Sequence, residues 1–298
     1  MSDVAAIIAA HEAAGYRFSA AGTGSFVRDE GQGEAVVCLH GVPVSGFLYR
    51  RVVPELAERG MRGIAFDFPG LGLADRPVDF DYSWTGLGHF ACKAVDALEL
   101  DRFHLVVHDI GGPVGFELAH AMPDRVQSLT ILNTLIDVAT FRKPWVMRPF
   151  GWTSLGEVWL AGMTRPVFRR LMAMQGIADM GQVAPTEIDA HLALLKRQDR
   201  GAAFLRIMRG FEPTPAKQAI YRAVVANTER PVQILWGAHD PALKLARYGA
   251  QARAAAPADT PLIELPGKHF LQEDCAPAIA ERVAMLAGNN ASATDKRG

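Results

Sequence analysis

The chain has 298 residues, 49% of them hydrophobic and 21% charged, with a formal net charge of -1. That composition suits a globular protein with one large core, or a core and a smaller domain, and gives no ground for nucleic acid or a membrane as partner. Cys38, Cys92 and Cys275 are too scattered for a disulfide framework or a metal site, no stretch is apolar for long enough to span a bilayer, and Asp3 stands where a signal peptide carries basic residues, so the expectation is a cytoplasmic enzyme with no cofactor and no metal.

In chain order, residues 35–39 (Ala-Val-Val-Cys-Leu) and 63–67 (Gly-Ile-Ala-Phe-Asp) read as buried strands, followed by 103–107 and 128–133. Helical segments are predicted between them, over Phe90 to Leu98 and Val114 to Ala121. This alternation is the pattern of a mostly parallel sheet flanked by helices. It breaks near Asp137. From Phe141 to Tyr221 the chain carries no convincing buried strand and reads as several helices: Leu155 to Gly162, Pro166 to Gln175, and a longer one from Thr186 towards Met208. Strands resume at 231–236 and 260–265, and the polar tail after Gly288 is expected to lack order. The expected division is a core domain of residues 1–140 and 222–298, with residues 141–221 inserted as a helical cap, or lid.

Ligands of open α/β sheets bind beyond the carboxyl ends of the strands, and four strand ends here carry reactive residue types. The first is His40-Gly41-Val42-Pro43, where glycine permits close backbone approach. The second is Val107-His108-Asp109-Ile110-Gly111-Gly112, at a strand-to-helix junction. There the α/β-hydrolase fold carries its G-x-S-x-G elbow, with one oxyanion-hole N–H supplied by the residue after the nucleophile and another by the loop after an earlier strand. Alone, Asp109 would read as a helix cap. Beside the other strand ends it reads as a carboxylate nucleophile, which attacks a saturated carbon and leaves an alkyl-enzyme ester. The third, Trp236-Gly237-Ala238-His239-Asp240-Pro241, offers Asp240 to orient a histidine, although an aspartate before proline is also a common turn. The fourth, Pro266-Gly267-Lys268-His269, offers His269 as the base that activates water. The order nucleophile, acid, histidine is the order that the fold requires. The loop from Asp67 to Pro77 reads as architectural.

At these residues the sequence resembles haloalkane dehalogenases and their relatives, the α/β-fold epoxide hydrolases. The resemblance runs from His40 to Asp274 and rests on His40-Gly41-x-Pro43 with Phe47-Leu48-Tyr49-Arg50, the Asp67 to Pro77 loop, His108-Asp109-x-Gly111-Gly112, and His269-Phe270-Leu271-Gln272-Glu273-Asp274. It implies Asp109 as nucleophile, His269 as base and Asp240 as orienting acid. Asn133 stands where one subgroup has its acid. The chain departs from the pattern at two halide-binding addresses, with Ile110 in place of the usual Trp and Val42 in place of an Asn; neither side chain can donate a hydrogen bond. The backbone N–H groups of Val42 and Ile110 remain for the leaving group, and Trp145, Trp152 or Trp159 could reach the site from the cap or simply pack there. Epoxide hydrolysis is the runner-up, with Tyr221 and His191 as its candidate proton donors. A non-catalytic protein that binds a hydrophobic ligand is the alternative of another class. The expected substrate is a small uncharged organic molecule, together with water.

Overall fold

The computed structural model describes residues 3–294. Eight strands form one sheet: β1 (Tyr16–Ala20), β2 (Thr23–Glu30), β3 (Ala35–Leu39), β4 (Arg62–Phe66), β5 (Phe103–Asp109), β6 (Val126–Thr134), β7 (Val232–Gly237) and β8 (Leu262–Leu265). Their spatial order is β1-β2-β4-β3-β5-β6-β7-β8. The pairs made by β2 with β1 and β4 are antiparallel and all others are parallel. This is an alpha/beta hydrolase fold. β3 is buried throughout and β5 up to its last residue, which explains their unbroken apolar runs: a strand covered on both faces has no solvent side to alternate with.

The β1–β2 hairpin was not legible as strands. Its residues mix Arg, Ser and Asp with aromatics, and its turn is closed by Ala21 and Gly22, both at positive φ (50° and 76°), the backbone that a two-residue hairpin requires.

Twelve α-helices accompany the sheet among the described residues: α1 (Asp3–Ala13), α2 (Val52–Glu58), α3 (Trp84–Ala97), α4 (Gly111–Ala121), α5 (Leu155–Ala161), α6 (Arg165–Leu171), α7 (Pro185–Lys196), α8 (Ala202–Arg209), α9 (Pro215–Val225), α10 (Ala250–Ala255), α11 (Leu271–Asp274) and α12 (Ala276–Thr294). Helices α5 to α9 all fall between β6 and β7, with no strand among them. Three details differ from expectation. The long helix over Thr186 to Met208 is two helices, because Gln198, Arg200 and Gly201 all take positive φ and break the spiral. A boundary at Tyr221 falls inside α9, which Thr214 caps by accepting the Lys217 N–H and Pro215 starts. The stretch after Gly288 falls within the bounds of α12, which run to Thr294, and residues 295–298 lie outside the described residues.

Most buried side chains of the sheet, its flanking helices and the insertion (Phe168, Phe204, Ile207 and Met208 among them) belong to one continuous core, and a smaller cluster gathers Val4, Phe26, Phe47, Leu73, Ala190 and Leu194. A charged network also ties the insertion down. Arg50 donates to both oxygens of Glu273, at 2.6 and 2.8 Å, and to Glu187 on α7, at 2.8 and 3.0 Å. Arg51 reaches the second Glu187 oxygen and the Gln182 carbonyl. The Asp67 to Pro77 loop is held from within: buried Asp67 accepts the Gly46 and Leu73 N–H groups at 2.7 Å each. No helix among the described residues is long and apolar enough to cross a membrane.

Candidate active site

β5 ends on Asp109, whose φ of +52° turns the chain sharply into α4. A residue other than glycine seldom takes that conformation, and here the surroundings enforce it. The Thr134 hydroxyl on neighbouring β6 donates to the Asp109 carbonyl. A Cβ at Gly111 would collide with the Leu39 and His40 carbonyls, and one at Gly41 would collide with the Asp109 carboxylate itself. Glycine at both positions is what allows the loop after β3 and the turn after β5 to close on each other. The Val42 N–H then donates to Asp109 Oδ1 at 2.9 Å.

The loop after β8 brings His269 opposite, with Nε2 3.5 Å from Asp109 Oδ2. His269 Nδ1 meets Asp240 Oδ2 at 2.8 Å. Asp240 is saturated with donors. Its Oδ1 accepts the Ala242 and Leu243 N–H groups at 2.7 and 2.8 Å, and its Oδ2 also accepts the Asn133 amide at 2.6 Å. Asn133 is in turn fixed by the Gly237 N–H on its own oxygen at 2.8 Å. A carboxylate with four donors has no lone pair free to do anything but hold the ring. The sequence marks Asn133 only as a place where an acid could stand; its position at the end of β6, between β5 and β7, is the signal for this bridging role.

Electrostatics follow from that geometry. Burial would push the His269 pKa down, but the Asp240 charge and the hydrogen bonds to Asp109 and Asp240 raise it to about 10. Burial would raise Asp109 and Asp240, but His269, together with His108 and the Val42 N–H at Asp109 and with Asn133 and the Leu243 N–H at Asp240, holds each carboxyl below its ordinary value. The resting arrangement is therefore carboxylate, imidazolium, carboxylate. His108, next to Asp109, stays neutral because burial pushes its pKa to about 3, and its Nε2 donates to the His269 carbonyl at 2.8 Å. From the other side the Gln175 and Gly176 carbonyls accept the backbone N–H groups of His269 and Phe270, at 3.4 and 2.8 Å. Those carbonyls close a π-helical turn over Met172–Gly176.

Asp109 and His269 open into a narrow cavity of about 80 Å³. Its walls are Val42, Pro43, Leu135, Phe141, Val146, Met147, Phe168, Leu171, Met172, Met208, Phe211, Leu243 and Phe270, with Lys143 and Gln175 as further polar side chains. Several residues expected at the pocket are elsewhere. Trp145 and Trp152 are 64% and 56% exposed, and none of Trp145, Trp152 and Trp159 lines the cavity. The Trp159 indole N–H is bound to the Val146 carbonyl. Tyr221 is buried with its hydroxyl on Glu117 at 2.9 Å, and His191 is buried with Nε2 on Glu273 at 2.9 Å. Each has found a partner within the fold, so neither faces a substrate. Ile110 is 1% exposed and does not line the cavity either. Among the residues that line it from the insertion, Phe168, Leu171, Met172 and Gln175 are spaced i, i+3, i+4 and i+7. That helical stripe was readable in the sequence.

Known proteins agree with the fold. A family model described as alpha/beta hydrolase fold matches residues 34–175. A haloalkane dehalogenase from Mycolicibacterium paratuberculosis is 29% identical over 262 residues, covering 86% of this chain and 84% of its own. An uncharacterized hydrolase from Saccharomyces cerevisiae is 25% identical over 268 residues, covering 86% and 89%. The crystal structure of haloalkane dehalogenase DbeA from Bradyrhizobium elkani superposes with a TM-score of 0.76 at 21% identity, over 94% of this chain and 99% of that one.

Proposed function

We propose that this chain, an alpha/beta hydrolase by fold and similar over most of its length to haloalkane dehalogenases, hydrolyses small organic halides through an ester on Asp109, beneath a cap formed by the helical insertion. The observation that carries the reading is the carboxylate at the positive-φ elbow, with one oxygen on a backbone N–H and the other beside a histidine.

In the first step Asp109 Oδ2 attacks the halogen-bearing carbon. A carbon–oxygen bond forms, the carbon–halogen bond breaks, and the halide leaves with the electron pair. Apolar walls suit this step, because a carboxylate stripped of water is the stronger nucleophile. Alkylation cancels the Asp109 charge and so removes one of the two carboxylates that hold His269 protonated. The His269 pKa falls, the imidazolium sheds its proton, and Nε2 becomes a base when a base is needed. Water then adds to Asp109 Cγ, giving its proton to His269. The oxyanion develops on Oδ1, where the Val42 N–H already donates. Collapse releases the alcohol, which takes up the proton, and restores the carboxylate. The balance is halide plus water giving alcohol, halide ion and one proton.

The test is to trap the ester. His269→Gln removes the base but leaves the nucleophile, so incubation with a bromoalkane is expected to release one equivalent of bromide and add the alkyl mass to the peptide containing Asp109. Bromide is the leaving group of choice because no indole donor lines the cavity to assist a poorer one. An unmodified protein, or a label on another residue, would falsify the assignment and favour a ligand-binding role.

A further inference from the structure

Two of the four polar side chains in the cavity, Asp109 and His269, are used by the chemistry just described. A third, Lys143, is not. It stands in the segment between β6 and α5 and lines the cavity among Phe141, Pro144, Val146, Met147 and Phe211. Its ammonium lies 4.4 Å from the centre of the Phe211 ring, and none of the ion pairs among the described residues includes it. The cavity residues beside it are apolar, the side chain is half-buried, and burial lowers its pKa. An ammonium on an apolar wall without a counter-ion is disfavoured, and one aromatic face compensates only in part. A cation in that position is completed by an anion from outside the chain.

We propose that Lys143 recognises a carboxylate at the end of the substrate remote from the leaving group, so that the substrate is a short-chain halo acid whose apolar middle spans the cavity. The inference rests on the hydrolytic reading above for the halide end. For the other end it amends the uncharged substrate that the chain's near-neutral composition suggested. The two ends divide the work: apolar walls hold the methylene chain, Asp109 faces the carbon that reacts, and Lys143 supplies the single charge that orients the molecule. Repulsion between the substrate carboxylate and Asp109 also penalises the reversed pose.

The experiment separates recognition from turnover. Binding of hexanoate, hexanol and sodium bromide to the wild-type protein, Lys143→Met and Lys143→Arg is measured by calorimetry, and bromide release is measured from 6-bromohexanoate and 1-bromohexane. The expected result is hexanoate binding at least tenfold tighter than hexanol, with that advantage lost in Lys143→Met and partly kept in Lys143→Arg. The ratio of kcat/KM for the bromo acid to that for the bromoalkane is expected to fall by the same factor in Lys143→Met. Equal binding of hexanoate and hexanol, or an advantage that survives Lys143→Met, overturns the proposal. Lys143-dependent binding of bromide without that of hexanoate also overturns it and assigns the lysine to the leaving group. If hexanoate binding depends on Lys143 but neither bromide compound reacts, recognition stands and the hydrolytic reading fails.

Discussion

The two walls of the cavity are built on different rules. The floor, at the carboxyl ends of β3, β5, β6, β7 and β8, is fixed atom by atom: hydrogen bonds join Asn133 to Asp240 and Asp240 to His269, His269 stands 3.5 Å from Asp109, and backbone N–H groups hold Asp109, Asp240 and Asn133. The roof, built from the insertion, touches the cavity almost entirely with apolar groups, and most of its conspicuous polar and aromatic residues point elsewhere. A strand delivers its last residue to a predictable edge, whereas the facing of a short helix is settled only by what it packs against. The chemistry should therefore be sensitive to small changes in the floor and tolerant of large ones in the roof.

The largest effect is expected from Asp109→Ala. With no nucleophile, steady turnover should drop by about 10⁴ or more; retention of a tenth of the activity, measured as halide release, would break the contrast at its centre. The pH dependence sharpens it next. Asp109 is held below its ordinary pKa, so the first step needs no deprotonation until strongly acidic pH. His269 must be neutral in the ester form, so acid protonates it and stalls the second step. Rapid-quench measurements between pH 9 and pH 5 should show a halide burst that persists while the steady rate declines as pH falls; a burst and steady rate that decline together would mean that the two groups do not divide the steps in this way.

Asn133→Ala is expected to lower kcat about tenfold with little change in KM. It removes a charge-assisted hydrogen bond from Asp240 and frees the ring that Asp240 orients. An unchanged kcat would show that the two backbone N–H donors on Asp240 suffice alone. The smallest effects belong to the roof. Trp145→Ala, Trp152→Ala and Tyr221→Phe should each leave kcat/KM for a bromoalkane within about twofold, since surface changes rarely matter and a hydroxyl bound to Glu117 serves packing. Tyr221→Phe should still melt earlier, by the equivalent of about 1 kcal/mol. A hundredfold loss of activity in any of the three would erase the distinction between floor and roof.

The same distinction explains what could be read from the sequence. The sheet and the placement of Asp109, Asp240 and His269 at strand ends were legible because buried strands announce themselves by composition and their successors inherit a fixed address. The β1–β2 hairpin was not, since its polar residues carry no buried run. The tryptophans misled because large aromatics are usually inward, and here two of the three are more than half exposed. Gln175 gives no signal by residue type, and only its spacing with Phe168, Leu171 and Met172 places it at the cavity. Lys143 carried no signal at all: a lone lysine beside prolines looks like any surface residue until the cavity closes round it.

One arginine sets the terms on which this roof could be exchanged for another. The Arg50 guanidinium is shared between Glu273, four residues beyond His269, and Glu187 on the insertion, and its side chain is only 8% exposed. A graft that brought a foreign set of helices without an acid at the place of Glu187 would strand half of that buried charge, and breaking such a pair is far more disruptive than never having had it. Relatives that differ here are poor donors for chimaeras however well their cavities match. Specificity in this scaffold should be easier to transplant one cavity-facing residue at a time than as a whole module.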